Sequence, residues 1–159
     1  MFQDLLPEKA IGVGLRALDR DEALRELIEL LPEDLGSQQK EKIFHLLLHR
    51  EQFGTTAIGE GIALPHCIFP GVSFPLASLG ISGQGIHFSS LDGGPVYVIF
   101  LLVLPKSQDW DHEKKMILRL VENLLRDRFL LERLKISETP EEAYEILVRE
   151  SPRAFPSFK

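Results

Sequence analysis

The fold class of this chain follows from the nine-residue stretch Val96–Leu104, which reads VYVIFLLVL. It lacks the alternation of polar and apolar side chains that marks a strand with one solvated face. The turn-forming residues 92–95, DGGP, precede it and Pro105 ends it, so the pattern predicts a strand that is buried on both faces. Nine apolar residues are about half of the roughly 20 that a membrane-spanning helix requires, so no bilayer insertion is expected.

Helical segments are predicted on both sides of this strand in the chain. Asp19 stands three residues before a glutamate, as in a capping box, and Thr139-Pro140 opens another segment with the same spacing. The predicted helices are residues 20–31, residues 37–52 with Ser37 as the cap, a helix capped by Asp109 or Asp111 that continues through Leu125, residues 129–134, and a last helix that runs to about Glu150.

Short β-prone segments, separated by Gly and Pro, lie in the middle of the chain. They are residues 55–58, 61–64, 76–81 and 86–88. Helices before, between and after strands predict a single three-layer α/β domain, in which a mixed β-sheet is flanked by helices on both faces. We assign residues 1–150 to this domain and residues 151–159, which include two prolines, to a C-terminal tail.

The composition limits the classes of function. With 159 residues, 44% of them hydrophobic, the chain is long enough for one self-sufficient core. Its 18 Lys and Arg residues against 24 Asp and Glu residues leave a net charge of −6, which disfavours nucleic acid and anionic membranes as partners and favours a basic protein surface. The single cysteine, Cys67, excludes an internal disulfide, and residues 1–6 lack the features of a secretory signal. We therefore expect a cytoplasmic protein.

Two histidines follow predicted strands, where open α/β sheets bind their ligands. His66 comes directly after Pro65, which lacks an amide hydrogen and marks a strand end or edge, so we expect the imidazole of His66 in a loop. His112 lies eight residues beyond Leu104, in the first turn of a predicted helix, where a bound anion is favoured. The hypothesis is one crevice that holds both histidines; the alternative is two ordinary surface or packed histidines.

Arg50 is the second unusual residue of this region. On a helical wheel it falls about 20° from Ile43 and about 60° from Leu47, inside the apolar sector of its helix. A guanidinium on that side either extends to solvent from the last turn or presents its N–H groups to an anion. His45 and His49 have the spacing of a metal-binding pair, but the same wheel places them on the solvated face.

Three other kinds of site receive less support. Cys67 adjoins His66, but neighbouring side chains of an extended chain point to opposite sides, which disfavours a cysteine nucleophile. Residues 59–61, GEG, are too short for a dinucleotide-binding loop, and no phosphate-binding loop is present, so no cofactor is expected. The two candidate histidines could hold zinc with Asp109 or Asp111, but they lack the close spacing of a metal motif.

Two ordered motifs resemble those of one known family. The first is residues 50–66, REQFGTTAIGEGIALPH, and the second is residues 91–105, LDGGPVYVIFLLVLP, followed by His112. At this separation the pair resembles the type-2 EIIA domains of the bacterial phosphoenolpyruvate-dependent phosphotransferase system, which include fructose-type, mannitol-type and nitrogen-related EIIA. The resemblance covers residues 3 to 150.

By this resemblance, His66 is the phosphoryl acceptor, His112 is its neighbour in the pocket and Arg50 is the family's conserved arginine. These residue types suit the chemistry, because a neutral imidazole is nucleophilic at physiological pH and a guanidinium stabilises phosphoryl charge. The sequence departs from the family at Cys67, where a small residue such as Gly or Ala is expected, and at Glu113, where Leu is usual. The phosphorylated ring nitrogen and the role of Cys67 stay open.

The resemblance implies a phosphotransferase component that accepts its phosphoryl group from an HPr-type histidine phosphocarrier. A nitrogen-related regulatory EIIA needs only this donor and acts on regulatory target proteins, whereas a fructose or mannitol EIIA also needs an EIIB component as acceptor. A chain without a fused EIIB or membrane domain favours regulation, and a metal-dependent hydrolase is a remote third hypothesis. The net charge suits a basic docking face on the donor, with Phe69, Val72 and Phe74 as apolar contacts near His66.

Overall fold

The computed structural model describes residues 2–32 and 34–151. The helices are α1 Phe2–Leu5, α2 Arg20–Glu29, α3 Ser37–Glu51, α4 Asp111–Leu125, α5 Arg128–Lys135 and α6 Pro140–Glu150, with 3₁₀ turns at Glu8–Ala10 and Gln108–Trp110. The strands are β1 Ile11–Val13, β2 Ala57–Gly59, β3 Ile62–Ala63, β4 His66–Phe69, β5 Leu76–Ile86 and β6 Val96–Pro105.

Strand β6 is the centre of the sheet, as its unbroken apolar sequence predicts. It pairs with β5 in the antiparallel direction on one side, and with β3 and then β4 in the parallel direction on the other. The main path of the described strands is β1-β5-β6-β3-β2, so the sheet is mixed. From Val98 to Val103 no residue of β6 is accessible to solvent.

Two separate apolar cores lie on the two faces of the sheet. On one face, α2 and α3 contribute residues such as Leu27 and Leu47, which share a core with Leu101 of β6. On the other face, α1, α4, α5 and α6 pack in a core with Phe100 and Leu102. The predicted three-layer α/β domain, with helices on both faces of a mixed sheet, is therefore confirmed.

No helix within residues 2–32 and 34–151 is both long enough and apolar enough to cross a bilayer.

The N-terminal caps of α2 and α6 agree with the prediction from the sequence, and the cap of α3 does not. Asp19 caps α2 by accepting a hydrogen bond from the backbone amide three residues on, and Thr139 caps α6 in the same way. The prediction for Ser37 is wrong, because Gly36 occupies the N-cap and Ser37 is the first residue of α3. The side chain of Gln39 completes this cap by accepting a hydrogen bond from the Gly36 amide at 3.0 Å.

The start of α4 also differs from the prediction. Ser107 caps the preceding 3₁₀ turn by accepting a hydrogen bond from the Asp109 amide, and Trp110 takes the N-cap position of α4, where its side chain does not cap the helix. Asp111 is the first residue of the helix. Neither aspartate is therefore the cap of α4.

Two strands have no counterpart in the sequence prediction. Strand β1 is three residues long and pairs with β5. Strand β4 begins at His66, so the loop predicted there is wrong: parallel pairing with residues 102–105 of β6 makes this segment a strand. Of the predicted tail 151–159, only Ser151 lies within the described residues.

Candidate functional site

His66 is the first residue of β4, and its main chain pairs with Leu102 of β6. Side chains alternate across a strand, and Cys67 and Phe69 enter the core that α2 and α3 cover. His66 and Ile68 therefore point to the opposite face, to which α4 belongs. The imidazole of His66 is half-buried, and Ile68 beside it is 49% exposed.

One ring nitrogen of His66 is engaged by the backbone. Nδ1 lies 2.9 Å from the carbonyl oxygen of Leu64. Because a carbonyl oxygen only accepts hydrogen bonds, Nδ1 carries the ring hydrogen and donates it to Leu64. The lone pair of a neutral ring then belongs to Nε2, which is the nucleophilic atom. The contact thus shows which ring nitrogen carries the hydrogen and which has the free lone pair, a question that the sequence leaves open.

The surroundings of His66 favour the neutral ring. Burial lowers the pKa of His66 below its ordinary value, and the positive charge of Arg50 lowers it further. The hydrogen bond to Leu64 and the negative charge of Glu51 act in the opposite direction but do not reverse the shift. The imidazole is therefore uncharged at neutral pH, as a nucleophile must be.

Arg50 occupies the last turn of α3 and is half-buried, in agreement with its position in the apolar sector of the helical wheel. Its Nη1 donates a hydrogen bond to the carbonyl oxygen of Gly54 at 2.9 Å. Gly54 has φ of +135°, a backbone conformation that favours glycine, so the loop carrying this carbonyl depends on a glycine. The guanidinium is thus anchored near the imidazole on whose pKa it acts.

His112 lies in the first turn of α4 and is exposed. The neighbouring Asp111 pairs with Lys114, whose ammonium lies 3.2 Å from its carboxylate. Helix α4 belongs to the face toward which the side chain of His66 points. No hydrogen bond or ion pair among the described residues joins His112 to His66, and the charges that act on the pKa of His66 are those of Arg50 and Glu51.

Glu51 is a site residue that the sequence prediction missed. It is only 7% exposed, and both of its carboxylate oxygens accept hydrogen bonds from Thr56, one from the amide and one from the hydroxyl. A signal for it existed, because the helical wheel that singles out Arg50 places Glu51 about 20° from Phe44 and about 40° from Leu47. A carboxylate in the apolar sector of a helix requires buried hydrogen-bond donors.

Cys67 is buried among the apolar residues beneath α2 and α3, on the face opposite to His66. Burial raises the pKa of its thiol to about 12. The thiolate is the nucleophilic form of cysteine, so this residue does not supply a nucleophile at neutral pH.

The described residues hold no group of three or more His, Cys, Asp or Glu side chains arranged to bind a metal ion. His66, His112, Asp109 and Asp111 all lie within that part of the chain. The hypothesis of a metal-dependent hydrolase therefore has no geometric support.

The exposed apolar residues near the site agree only in part with the docking contacts predicted from the sequence. Phe69 is 6% exposed and belongs to the core, so its assignment as a docking contact is wrong. Phe74 is 51% exposed and packs its ring edge against Trp110, with 6.3 Å between ring centroids. Phe53, which follows α3, is 77% exposed, and Ile68 lies on the same strand face as His66.

Comparison with known proteins identifies relatives of the whole domain. The family described as "Phosphoenolpyruvate-dependent sugar phosphotransferase system, EIIA 2" matches residues 4–150. A nitrogen regulatory protein of Bradyrhizobium diazoefficiens is 35% identical over 144 residues, which are 91% of this chain and 92% of that protein.

Solved structures have the same fold. The nitrogen regulatory protein IIA-Ntr of Neisseria meningitidis superimposes with a TM-score of 0.80 at 25% identity, covering 92% of this chain and 98% of that one. The mannitol IIA enzyme of Escherichia coli, solved in complex with phosphorylated IIB, superimposes with a TM-score of 0.71 at 21% identity, covering 91% of this chain and 99% of that one.

The family matches 147 consecutive positions, including both motifs and Arg50, His66 and His112. Together with the three-layer fold and a relative that is 35% identical, this match shows that the chain belongs to the EIIA type-2 family of the phosphoenolpyruvate-dependent sugar phosphotransferase system.

Proposed function

We propose that this chain is a histidine phosphoryl carrier that accepts a phosphoryl group on Nε2 of His66 and acts in regulation. The observation that carries the proposal is the state of the imidazole: Nδ1–H is bound to the Leu64 carbonyl, and burial keeps the ring neutral. In transfer from a phosphohistidine, Nε2 of His66 forms a bond to phosphorus while the N–P bond of the donor breaks and the donor nitrogen keeps the electron pair.

Arg50 and His112 are the proposed assisting residues. A guanidinium carries five N–H donors, so one hydrogen bond to Gly54 leaves donors for the oxygens of a phosphoryl group. His112, exposed at the start of α4, is proposed to donate a further hydrogen bond to the same oxygens as they accumulate charge in the transition state. Arg50→Ala and His112→Ala should each slow transfer while the fold is kept; wild-type rates in both would contradict these roles.

The proposed donor is an HPr-type histidine phosphocarrier, and the proposed output is a change in the binding of regulatory target proteins. The nitrogen regulatory protein that is 35% identical to this chain supports the regulatory role, and the net charge of −6 suits a basic donor surface. The alternative is a sugar-specific EIIA that passes the group to an EIIB component. The cytoplasmic location predicted from the sequence is part of the proposal.

The test of the proposal is a phosphorylation assay. Incubation with phosphoenolpyruvate, enzyme I and an HPr-type carrier should add one acid-labile phosphoryl group, measured by intact-protein mass spectrometry. His66→Ala should abolish the addition because the accepting nitrogen is lost. His45→Ala is the matched control, since His45 is exposed on α3, and it should accept the group normally. Labelling that persists in His66→Ala would contradict the site assignment.

A second experiment distinguishes the regulatory role from the sugar-specific role. Deletion of the gene should leave uptake of fructose and mannitol unchanged if the protein is regulatory, because no EIIB component then depends on it. Loss of uptake of either sugar would instead support the sugar-specific role.

A further inference from the structure

The buried carboxylate of Glu51 ends α3 next to Arg50. Its Oε2 accepts a hydrogen bond from the Thr56 amide at 3.1 Å, and its Oε1 accepts one from the Thr56 hydroxyl. Thr56 is itself 4% exposed. A buried carboxylate requires such partners, and these two bonds join the end of α3 to the residue that precedes β2.

The two hydrogen bonds between Glu51 and Thr56, here called the clamp, close the loop that anchors Arg50. Gly54 lies between Glu51 and Thr56, and its carbonyl oxygen accepts the hydrogen bond from Nη1 of Arg50. The Gly54 amide is also bound to the Glu51 carbonyl at 3.1 Å. The position of the guanidinium therefore depends on a loop whose two ends are joined by Glu51 and Thr56.

The same threonine leads to His66. The Thr56 carbonyl accepts a hydrogen bond from the Leu64 amide at 3.0 Å, and the Leu64 carbonyl accepts one from Nδ1 of His66 at 2.9 Å. The peptide that orients the imidazole is thus held by the residue that Glu51 holds. One carboxylate is connected to both of the groups that the proposed reaction needs.

We infer that Glu51 is a positioning residue for phosphoryl transfer, which acts through Thr56 to hold the Arg50 guanidinium and the His66 imidazole in fixed relation. This inference rests on the proposed function of His66. Its physical basis is that transfer requires the reacting atoms to be placed closely, so that a displacement of about 1 Å costs about a hundredfold in rate.

Two pairs of variants separate the hydrogen bonds from the charge. Glu51→Ala removes both bonds and leaves the buried donors of Thr56 without an acceptor. Glu51→Gln keeps both bonds, since its amide oxygen accepts from the Thr56 amide and its NH₂ donates to the Thr56 hydroxyl oxygen. Thr56→Val removes the hydroxyl and Thr56→Ser keeps it. Glu41→Gln, an exposed carboxylate on the same helix, is the control for the lost charge.

The initial rate of phosphorylation by an HPr-type carrier should fall by at least about tenfold in Glu51→Ala and in Thr56→Val. Glu51→Gln and Thr56→Ser should stay within about threefold of the wild type. A wild-type rate in folded Glu51→Ala, or equal rates in Thr56→Val and Thr56→Ser, would overturn the inference. If far-UV circular dichroism shows that Glu51→Ala does not fold, the comparison of Thr56→Val with Thr56→Ser tests the inference instead.

If Glu51 only kept the protein folded, its replacement by Gln would leave the pKa of His66 unchanged. The charge of Glu51 raises the pKa of His66, so Glu51→Gln should move the inflection of the pH–rate profile to lower pH, whereas Glu41→Gln should not. An unmoved inflection in Glu51→Gln would contradict the placement of the Glu51 carboxylate near the His66 imidazole, on which the inference depends.

The tautomer of His66 can be measured in the unphosphorylated protein by nuclear magnetic resonance of its ring nitrogens. This measurement tests the inference separately from the proposed function. Glu51→Ala should lose the fixed Nδ1–H tautomer, because Thr56, whose carbonyl binds the Leu64 amide, loses both of its bonds to the Glu51 side chain. If the wild type takes no phosphoryl group, the proposed function fails while this measurement still tests the clamp. Retention of the tautomer in folded Glu51→Ala would overturn the inference.

Discussion

At the scale of the residue, the neighbours His66 and Cys67 occupy opposite environments. The side chain of His66 is half-buried with one nitrogen bound to Leu64, whereas Cys67 lies in the core between the sheet and α2 and α3. Burial shifts each pKa toward the uncharged form, which lowers that of the imidazole and raises that of the thiol. The same physical effect keeps the imidazole of His66 uncharged and the thiol of Cys67 protonated at neutral pH.

Cys67 should react slowly with thiol reagents in the native protein. A pKa of about 12 leaves about a thousandfold less thiolate at neutral pH than an ordinary cysteine has. The rate of reaction with a disulfide reagent at pH 8 should therefore be at least about a thousandfold lower in the native protein than in the chain unfolded in urea. Similar rates in the two states would contradict the buried position.

The stability of the protein should depend on pH through His66. The pKa of His66 is lowered in the native state, so between that value and the ordinary value near 6.5 the unfolded chain binds more protons. The free energy of unfolding should therefore fall as the pH decreases through this window and should level off below the native pKa. Urea unfolding of the wild type and of His66→Gln measures this contribution as the difference between the two curves.

His45→Gln removes an exposed histidine of α3 and is the control for this comparison. A wild-type curve that runs parallel to that of His66→Gln from pH 8 to pH 5 would show that the native environment does not favour the neutral imidazole.

At the scale of the element, α2 and α6 begin with the same arrangement. The capping residues Asp19 and Thr139 accept a hydrogen bond from the amide three residues on. The side chains of Glu22 and Glu142 return to the amide that precedes the cap, that of Leu18 in α2. The capping box that the sequence predicts is thus present in both helices with its second bond shifted by one residue.

Thr139→Ala should destabilise the protein by about 1 kcal/mol, because the Glu142 amide loses its acceptor at the start of α6. The free energy of unfolding in urea measures the loss. Thr139→Ser keeps a hydroxyl at the cap and should restore most of it. Equal losses in the two variants would attribute the effect to the methyl group rather than to the cap.

At the scale of the whole molecule, the candidate site draws on both sides of the sheet. Helix α3, which packs in one core, supplies Arg50 and Glu51, and α4, which packs in the other, carries His112. His66 lies between these helices in the middle layer, on a strand held by β6. The three-layer arrangement therefore places the proposed assisting residues on helices that lie on either side of the strand that carries His66.

The sequence by itself determined the fold class and the main candidates. Nine apolar residues without alternation already require cover on both faces of β6, and the helical wheel already places Arg50 inside an apolar sector. These predictions succeed because burial leaves a local periodic pattern. The two motifs and their spacing also indicate the family to which the chain belongs.

Only the tertiary structure decided how the candidate residues are held. β4 is a strand because residues of β6 pair with it, so no local pattern marks His66 as part of a strand. The bonds from Glu51 to Thr56 and from His66 to Leu64 likewise depend on where the chain turns after α3. Periodicity records whether a residue is buried, but hydrogen bonding and desolvation depend on which neighbours the complete fold brings to it.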